Sequence, residues 1–458
     1  MSEVTIVGAG PTGSVLAILL RRRGIKVTIY ESRADPRADG GERGRSINLA
    51  LADRGIAALK RIGVYQSIAA ALVPMPGRLI HDVQGNTSLQ PYGAHSHELI
   101  HSISRDKLNQ ALLDIAVREH GVEVHFEHRL ESADFTTATA QIRDLRDGRE
   151  QSVRMRPMIA CDGGGSRMRR EMQAAGLIEA SEVPLDHGYK ELSIPAAASG
   201  DYAMRREALH IWPRGGYMLI ALPNEDGSFT ATLFLPNSGP TSFATLTGRQ
   251  AIDAFLSRNF PDAVALMPNA TEEFQRNPTG FLGTVYAQPW STRGAAALLG
   301  DAAHAIVPFH GQGMNCCFED CLEFDACVGR HAIWEARFND FYAKRKSNTD
   351  AIAAISLENY LEMRAHVADE RFRLRHALSL ELERRFPARF IPRYSMVMFH
   401  HEIPYSMAQQ RGLIQSRLLE DLTAHAATIA DVDFERATRS IEAHLPPIEK
   451  SLSSVTNE

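Results

Sequence analysis

The stretch Val4-Thr5-Ile6-Val7-Gly8-Ala9-Gly10-Pro11-Thr12-Gly13 stands near the start of this 458-residue chain, and the apolar run 15–20 follows it. This order predicts a strand, a tight glycine turn and a helix, in which the glycines let the backbone approach a pyrophosphate at the helix N-terminus. A second apolar strand, 27–30, ends at Glu31, whose carboxylate can accept both hydroxyls of a ribose. The opening therefore predicts a dinucleotide site on a Rossmann-like fold. A secretory signal peptide fits less well, because the arginines 21–23 follow the apolar run instead of preceding it.

The composition is that of an ordinary globular chain with about three domains of roughly 150 residues each. Hydrophobic residues make up 44% and charged residues 23% of the sequence. The net charge of -5 disfavours nucleic acid as a partner, and no apolar stretch reaches the roughly 20 residues of a membrane-spanning helix. The five cysteines lack paired Cys-x-x-Cys knuckles. We therefore expect reduced thiols, no metal site, no membrane partner and a cytoplasmic location.

The hydrophobic pattern changes along the chain. Between 205 and 236 it alternates with period two, with turns at 213–216 and 224–227, which predicts an antiparallel meander. After residue 333 the pattern is mainly helical. The predicted fold class is α/β, with a Rossmann-like dinucleotide-binding domain, an inserted antiparallel β-sheet substrate domain and a C-terminal helical region. The predicted boundaries are 1–75, 98–175 and 285–332 for the first, 76–97 and 176–284 for the second, and 333–458 for the third.

Two later motifs indicate which dinucleotide binds. Asp162-Gly163 follows an apolar strand, and Leu299-Gly300-Asp301-Ala302-Ala303-His304 follows another. An Asp at a strand end can hold the hydroxyls of a sugar alcohol, although Asp301 alone could also be a helix N-cap. The helix that opens at Gly311-Gln312-Gly313-Met314-Asn315 offers N–H groups and a positive dipole end to a flavin ring that becomes negative on reduction. Together with the glycine turn, these motifs favour FAD over NAD.

The three motifs in this order resemble those of the group A flavoprotein aromatic hydroxylases, the p-hydroxybenzoate hydroxylase-like family. Further blocks are similar to the kynurenine-hydroxylating members of that family, and the resemblance spans roughly residues 3 to 450. These blocks lie at 44–51, 89–93, 187–192, 307–315, 357–360 and 389–396.

The resemblance implies the residues that hold FAD. Cys161 stands where these motifs more often have Ala, and Gly164-Gly165 make the loop looser, so the sequence around Asp162 departs from the family pattern. The implied cofactor-binding residues are Gly8, Gly10, Gly13, Glu31, Arg33, Arg105, Asp162, Asp301, Gly313, Met314 and Asn315.

The resemblance also implies the residues around a substrate with an amino acid head and an aromatic ring. Arg78 and Tyr92 are expected to bind the carboxylate, and Asn359 and Tyr394 to add polar contacts. Four residues of the meander are expected to form an apolar wall for the ring. Phe309 and His310 are expected to be catalytic residues between ring and flavin, with simple packing as the alternative for His310. The wall residues are Leu209, Met218, Leu222 and Phe234.

The implied activity is FAD-dependent hydroxylation of L-kynurenine to 3-hydroxykynurenine, with transiently bound NADPH and O2, through a flavin C4a-hydroperoxide. The ring amine of the substrate activates its own ortho carbon, so no strong protein base is required. One alternative is a monooxygenase of the same fold that acts on anthranilate, a phenol or a modified kynurenine. A flavin halogenase is disfavoured because no Gly-Trp-x-Trp-x-Ile-Pro block is present. A non-catalytic flavin-binding partner is disfavoured by the intact Asp301 motif, and a homodimer is left open.

Overall fold

The computed structural model describes residues 3–38, 48–366 and 369–448. The part of the resemblance at 44–47 therefore lies outside the described residues. The chain divides into two compact units. The first comprises Met1–Leu72, Ile103–Leu185 and Gly283–Ala353, and the second comprises Val73–Ser102, Asp186–Leu282 and Ala354–Glu458. This division differs from the three-part domain scheme, since the helices after residue 353 group with the antiparallel sheet.

The strands are numbered in chain order. They are β1 (Glu3–Val7), β2 (Lys26–Glu31), β3 (Asn48–Leu51), β4 (Val73–Met75), β5 (Gly77–His81), β6 (Thr87–Pro91), β7 (Ile100–Ser104), β8 (Glu123–Phe126), β9 (His128–Asp134), β10 (Thr139–Asp144), β11 (Glu150–Arg154), β12 (Met158–Ala160), β13 (Glu179–Ile194), β14 (Leu209–Pro213), β15 (Met218–Pro223), β16 (Phe229–Pro236), β17 (Gly280–Gln288), β18 (Ser291–Thr292) and β19 (Ala296–Leu298).

The α-helices are numbered in the same way. They are α1 (Pro11–Arg22), α2 (Asp53–Arg61), α3 (Tyr65–Ile68), α4 (Arg105–Arg118), α5 (Arg167–Ala174), α6 (Arg249–Asn259), α7 (Pro261–Val264), α8 (Ala270–Arg276), α9 (Asp301–His304), α10 (Gly313–Arg330), α11 (Trp334–Leu361), α12 (Glu370–Arg385), α13 (Arg393–Phe399), α14 (Tyr405–Thr423) and α15 (Phe434–His444). Short 3-10 turns lie at Ala69–Ala71, Pro308–His310 and Ile429–Asp431, and a π-helical turn lies at Glu362–His366.

The first unit is built on a sheet with the strand order β18-β19-β12-β1-β2-β8. Strand β1 pairs in parallel with β2 and β12, and β12 pairs in parallel with β19. The central strands are apolar almost throughout, as expected for a parallel sheet with both faces covered. Helix α1 packs against α4 and α10, and its residues from Val15 to Leu20 are all buried. Strands β9, β10 and β11 form a separate antiparallel sheet in this unit.

The second unit is built on a sheet with the order β17-β13-β16-β15-β14-β5-β6. Strands β13, β16, β15 and β14 pair antiparallel in turn, so the predicted meander is present. Strand β5 joins the sheet by parallel pairing with β14, which sets Leu209 beside Arg78. One face carries the apolar core of this unit, including Trp212, Leu219 and Leu233, which packs with residues of α6 and α8. The α/β fold class with an inserted antiparallel sheet and C-terminal helices is confirmed.

The remaining helices of the second unit have a core of their own. Leu378 and Leu382 of α12 pack with Leu418 and Leu422 of α14 and with Ile441 of α15. In the part of the chain that the structure describes, none of the helices combines the length and the apolar character that a membrane crossing would need.

A chain of polar side chains crosses the covered face of the second sheet. His81 Nδ1 lies 2.9 Å from Asp262 Oδ2, and His81 Nε2 lies 2.9 Å from His210 Nδ1. His210 Nε2 donates to the carbonyl of Arg205 at 2.7 Å, and Trp212 Nε1 donates to Asp262 Oδ2 at 2.8 Å. The contacts link β5, β14 and α7. A neutral His210 fits this arrangement, because one ring nitrogen donates and the other can accept.

Acidification should destabilise the second unit through His210. Burial lowers the pKa of His210 from its ordinary 6.5 to about 4, so the unfolded chain takes up a proton there at a pH where the folded chain does not. The contribution of neutral His210 to the free energy of unfolding is complete above about pH 6.5. It is lost as the pH falls toward 4, by up to about 3 kcal/mol. Thermal unfolding followed by circular dichroism from pH 7.5 to 4.5 measures this loss.

The matched variant is His210→Gln, which keeps a donor and an acceptor but does not titrate. Its unfolding temperature should depend less steeply on pH than that of the wild type. The exposed His97 provides the control, since His97→Gln should keep the wild-type dependence. Equal slopes for wild type and His210→Gln would show that another group carries the acid sensitivity.

Candidate active site

The glycine turn between β1 and α1 is packed too closely to hold side chains at two of its three glycines. Gly8 has φ +101°, and a Cβ there would lie 2.4 Å from the carbonyl oxygen of Cys161. A Cβ at Gly13 would lie 2.0 Å from the carbonyl oxygen of Gly8. Gly10 is different, because nothing lies within 4 Å of its Cβ position. It is the N-cap of α1 and provides no side-chain cap, so the helix N-terminus beside it suits an anion.

Glu31 at the end of β2 faces the same turn. Its Oε2 accepts from the backbone N–H of Ala9 at 2.7 Å, and its Oε1 accepts from the backbone N–H and Nε of Arg33 at 2.9 and 3.0 Å. Burial raises the pKa of Glu31, but the hydrogen bonds and charge of Arg33 and the Ala9 N–H lower it further, so the pKa lies below its ordinary value. The ionised carboxylate is suited to accept ribose hydroxyls. Burial raises the pKa of the Asp106 carboxyl, and the nearby charges of Arg105 and Arg33 both oppose that rise. The two predicted arginines therefore lie in one region.

Asp301 begins helix α9 directly after β19 and Gly300, whose φ is +65°. The Cys317 thiol approaches its Oδ1 at 3.5 Å. Helix α10 begins at Gly313, and its N-cap Gln312 provides no side-chain cap. Met314 therefore lies in a first turn whose backbone N–H groups have no partner within the helix. These features suit a sugar-alcohol hydroxyl and a flavin edge that gains negative charge.

The Asn315 side chain is used within the protein. Its Oδ1 accepts from the Ala52 N–H at 3.0 Å, and its Nδ2 donates to the carbonyls of Ala50 and Gly311, both at 2.8 Å. Gly55 packs against it, since a Cβ there would lie 2.3 Å from Oδ1. Asn315 thus fixes the start of α10 against β3 and α2, and any contact with a cofactor would come from its backbone.

Asp162 caps helix α5. Its Oδ2 accepts from the backbone N–H groups of Arg167 at 2.7 Å and Met168 at 3.3 Å. Its Oδ1 is buried without a hydrogen-bond partner among the described residues, and burial raises the pKa of this carboxyl. Gly163 has open space at its Cβ position. The free oxygen leaves Asp162 able to receive a ligand hydroxyl as well as cap the helix.

Phe309 and His310 form the 3-10 turn between α9 and α10, and both are buried. A network of buried charges holds the two helices on either side of this turn. The sequence analysis did not predict this network. Asp320 of α10 accepts from His304 Nε2 at 2.5 Å and from Arg345 Nε at 2.6 Å. Arg345 and Arg54 each contact Glu319, at 2.9 and 2.8 Å. The network ties α9, α10, α11 and α2 together, so the turn has a fixed position within the first unit.

Two of the predicted substrate residues, Tyr92 and Tyr394, pack against a third, Arg78, in the second unit. Its guanidinium carbon lies 4.8 Å from the ring centroid of Tyr394 and 5.5 Å from that of Tyr92, and the two rings stack at 5.4 Å. Glu362 Oε1 is 3.8 Å from Arg78 Nη1, beyond hydrogen-bond distance. Arg78 is only 7% exposed, and the Tyr92 hydroxyl is buried without a hydrogen-bond partner among the described residues.

The electrostatics keep this group cationic. Burial lowers the pKa of Arg78, but Tyr394, Tyr92 and Glu362 raise it more, so the net pKa is above the ordinary value. Burial raises the pKa of both tyrosine hydroxyls, which therefore stay protonated and able to donate. A buried guanidinium with its carboxylate neighbour at 3.8 Å is incompletely compensated. It is suited to receive a ligand carboxylate in a fork of N–H donors.

The four predicted wall residues share one face of the sheet with Arg78. Leu209 is the register partner of Arg78, and Met218 is that of Phe234. Leu222 lies on the same face of β15 as Met218, because side chains alternate along a strand. Tyr189 pairs with Phe234 and extends the row. The apolar core with α6 and α8 lies on the opposite face, so these side chains are not part of it.

The C-terminal helices carry further polar residues of the second unit. Asn359 is buried near the end of α11, and its Nδ2 lies 3.3 Å from the Met363 sulfur. The sequence reading missed Glu362, although it follows Asn359 by three residues and so shares its helix face. It also missed His376 of α12, whose Nε2 lies 3.2 Å from the Pro91 carbonyl. No sequence signal pointed to His376.

Comparisons with known proteins agree with the arrangement of the first unit as a dinucleotide-binding fold. A family model described as FAD binding domain matches residues 1–324. The kynurenine 3-monooxygenase of Stenotrophomonas maltophilia is 46% identical over 452 residues, with 98% of each chain covered. That of Myxococcus xanthus is 44% identical over 447 residues, with 98% of this chain and 96% of the other covered. The chain therefore belongs to the FAD-binding family that includes these kynurenine 3-monooxygenases, and the prediction of FAD as cofactor is confirmed.

Solved structures share the fold at lower identity. The tetrameric form of 2-methyl-3-hydroxypyridine-5-carboxylic acid oxygenase matches with a TM-score of 0.65 and 19% identity, covering 84% of this chain and 98% of the other. The P. aeruginosa protein PqsL matches with a TM-score of 0.62 and 21% identity, covering 79% and 96%. At such identities the likeness concerns the fold alone.

Two glycines of the turn should separate folding from cofactor binding. Gly13→Ala should lower the unfolding temperature of the apoprotein, because its Cβ meets the Gly8 carbonyl and the backbone must shift at a cost of about 1–3 kcal/mol. Gly10→Ala should leave that temperature unchanged, since its Cβ enters open space. It should instead weaken FAD binding, because the added methyl group occupies the approach to the N-terminus of α1.

The measurements are thermal unfolding of both apoproteins and FAD titration followed by flavin fluorescence. Gly165→Ala is a control on another glycine with open space around its Cβ position. An apoprotein of Gly10→Ala that melts as low as that of Gly13→Ala would contradict the assignment of Gly10 to the cofactor.

Proposed function

We propose that this chain converts L-kynurenine, NADPH, H⁺ and O2 into 3-hydroxykynurenine, NADP⁺ and H2O. One oxygen atom enters the ring and the other leaves as water, with both reducing electrons supplied by NADPH. The observation that carries the proposal is the buried Arg78, flanked by Tyr92 and Tyr394, on the same sheet face as an apolar row. The names of relatives that are 44–46% identical over nearly the whole chain support it.

The Arg78 group suits the head of an α-amino acid. A carboxylate would accept from the Arg78 guanidinium and from the hydroxyls of Tyr92 and Tyr394, which completes the compensation of a buried cation. The Glu362 carboxylate lies 3.8 Å from the guanidinium and can receive an α-ammonium group. Asn359 on the same helix face can add a neutral hydrogen bond. Opposite charges on one small ligand would thus meet opposite charges on the protein.

The apolar row suits the aromatic part of the same molecule. Met218, Leu222 and Phe234 are buried and offer no hydrogen bond to a ring. Such a wall excludes water and orients the ring while the head is anchored. A protein base is not required there, since the ring amine of kynurenine itself activates the ortho carbon. His310 is then expected to act by packing and by positioning.

The residues of the first unit fit FAD. Gly8, Gly10 and Gly13 with Glu31 would hold its ADP half, and Asp301 with the N-terminus of α10 would hold its flavin half. Bound FAD supplies the redox chemistry, namely reduction by the nicotinamide and activation of O2. The buried oxygen of Asp162, free of hydrogen bonds among the described residues, supports a further contact. The five cysteines, all free and buried, support the cytoplasmic location that we propose.

The direct test is product analysis by mass spectrometry after incubation of the FAD-loaded chain with L-kynurenine, NADPH and O2. A product heavier by one oxygen atom, labelled when ¹⁸O2 is used, is the expected result. NADPH oxidation stimulated by p-hydroxybenzoate or anthranilate but not by L-kynurenine would favour the alternative substrate class.

Removing the Arg78 cation should abolish selection for the substrate carboxylate. The wild type should use L-kynurenine far better than kynuramine, the analogue without the carboxylate. Arg78→Ala should lower kcat/KM for L-kynurenine by roughly 100-fold or more, because a buried charge pair is worth about 2–5 kcal/mol. The activity with kynuramine should change much less, so the preference between the two substrates should nearly vanish.

Arg206→Ala removes an exposed arginine of the same unit and is the matched control, which should keep the wild-type preference. Arg78→Lys should recover only part of it, since an ammonium cannot form the two-donor fork. A variant Arg78→Ala that still prefers L-kynurenine as strongly as the wild type would remove Arg78 from the head site.

Glu362 should select for the α-ammonium group. The wild type should prefer L-kynurenine to its deamino analogue, which keeps the carboxylate and the ring. Glu362→Gln should reduce this preference by roughly tenfold, because an amide lacks the charge that attracts the ammonium. Steady-state kcat/KM for both substrates measures it, with Glu358→Gln as control, since Glu358 pairs with Arg393 instead. An undiminished preference in Glu362→Gln would contradict the role.

A further inference from the structure

A group of three ionisable side chains, two of them buried and the third half-buried, lies in the second unit and has no part in the proposed reaction. It consists of Glu98, between β6 and β7, Glu383, near the end of α12, and His400, directly after α13. One ligand atom from each of the three side chains lies within 4.8 Å of the other two. Three separate segments of the chain thus bring two carboxylates and one imidazole together.

The Glu383 carboxyl is the unusual member of this group. The residue is only 3% exposed, and its Oε2 is buried without a hydrogen-bond partner among the residues that the structure describes. Burial and the nearby charge of Glu98 raise the pKa of Glu383 to about 8. A carboxyl this deeply buried is normally hydrogen-bonded or paired with a cation. A cation beside the ionised carboxyl would supply this missing partner.

The other two members are oriented by neighbouring groups. Glu98 Oε2 accepts from the backbone N–H of His95 at 2.8 Å, and His400 Nδ1 lies 3.1 Å from Glu402 Oε1. A histidine whose ring N–H is held by a carboxylate while the other nitrogen coordinates is the usual arrangement at metal sites. Ligand atoms at about 2.1 Å from one ion are roughly 3–4.2 Å apart, so separations within 4.8 Å require only small movements.

We propose that Glu98, Glu383 and His400 bind one divalent transition-metal ion, with Zn²⁺ preferred to Mg²⁺. The two carboxylates supply hard oxygen ligands, and the imidazole favours Zn²⁺ over Mg²⁺. Water would complete the coordination. The ion would join α12 and the end of α13 to the segment that begins at Tyr92 and carries Glu98. Glu98 packs closely within that segment, because its Oε2 would lie only 2.2 Å from a Cβ at Gly93. Its role is structural, and it does not depend on the proposed reaction.

The test compares Zn²⁺ binding by the FAD-loaded wild type and by Glu383→Gln. Both proteins are dialysed against micromolar Zn²⁺, and bound metal is measured by inductively coupled plasma mass spectrometry. The wild type should retain one equivalent more than Glu383→Gln, and Zn²⁺ should raise its unfolding temperature by several degrees more. The Glu383→Gln protein should fold without metal, because the amide has nearly the same shape as the carboxyl and carries no charge.

The control is Glu381→Gln on the same helix, where the carboxylate pairs with Arg384 and Arg385 at the surface. It should bind Zn²⁺ as the wild type does, which separates the buried site from surface carboxylates. Equal zinc content in wild type and Glu383→Gln would overturn the proposal. An equal rise of the unfolding temperature with Mg²⁺ would overturn the preference for a transition metal.

Discussion

A guanidinium buried beside the sheet is the constraint on which the second unit depends. Arg78 remains charged while it is almost completely removed from water, and the Tyr394 hydroxyl and Glu362 only partly replace the lost hydration. Parallel pairing of β5 with β14 fixes this charge beside Leu209. The apolar residues along the same face keep the local dielectric low, which strengthens any interaction with an anion that enters. The strand pairing that positions Arg78 therefore also places it beside the apolar row, so that the charge and the apolar wall can contact the same ligand.

In the first unit the decisive constraint is close packing, since two positions of the turn between β1 and α1 have no room for a side chain. Strand β12 and helix α1 approach the glycine turn so closely that Gly8 and Gly13 touch backbone carbonyls. Such contact leaves the N-terminus of α1 exposed to a ligand, as pyrophosphate binding at a helix terminus requires. The second helix terminus, that of α10, is fixed differently, by Asn315 and by the Asp320 network. Each half of a dinucleotide would therefore meet a helix N-terminus with its own means of support.

Much of this could be predicted from local sequence. The glycine spacing, the strand ending at Glu31 and the alternating pattern from 205 to 236 each depend on neighbours along the chain, and the structure has the corresponding elements. The parallel pairing of β5 with β14 could not be predicted in this way, because it joins residues about 130 positions apart. The resemblance to a family, not the pattern, pointed to Arg78 and Tyr92. Glu362 could have been predicted from Asn359, because residues three positions apart share a helix face. His376 and Glu383 could not, because their neighbours are known only from the position of α12 in the structure.

Two carboxyl groups of the second unit for which we propose ligands, those of Glu362 and Glu383, lie on consecutive helical elements of the chain. Helix α11 ends at Leu361 and continues as the π-helical turn Glu362–His366. Turns of this kind are uncommon and frequently occur at functional sites, because the wider winding re-aims side chains that a regular helix would direct elsewhere. Glu362 is the first residue of that turn and points its carboxylate toward Arg78. Helix α12 follows and carries Glu383, the carboxyl for which we propose a cation. The carboxylate that we expect to meet an ammonium group and the carboxyl that we expect to meet a metal ion therefore stand on two consecutive elements of the chain, the π-helical turn and α12.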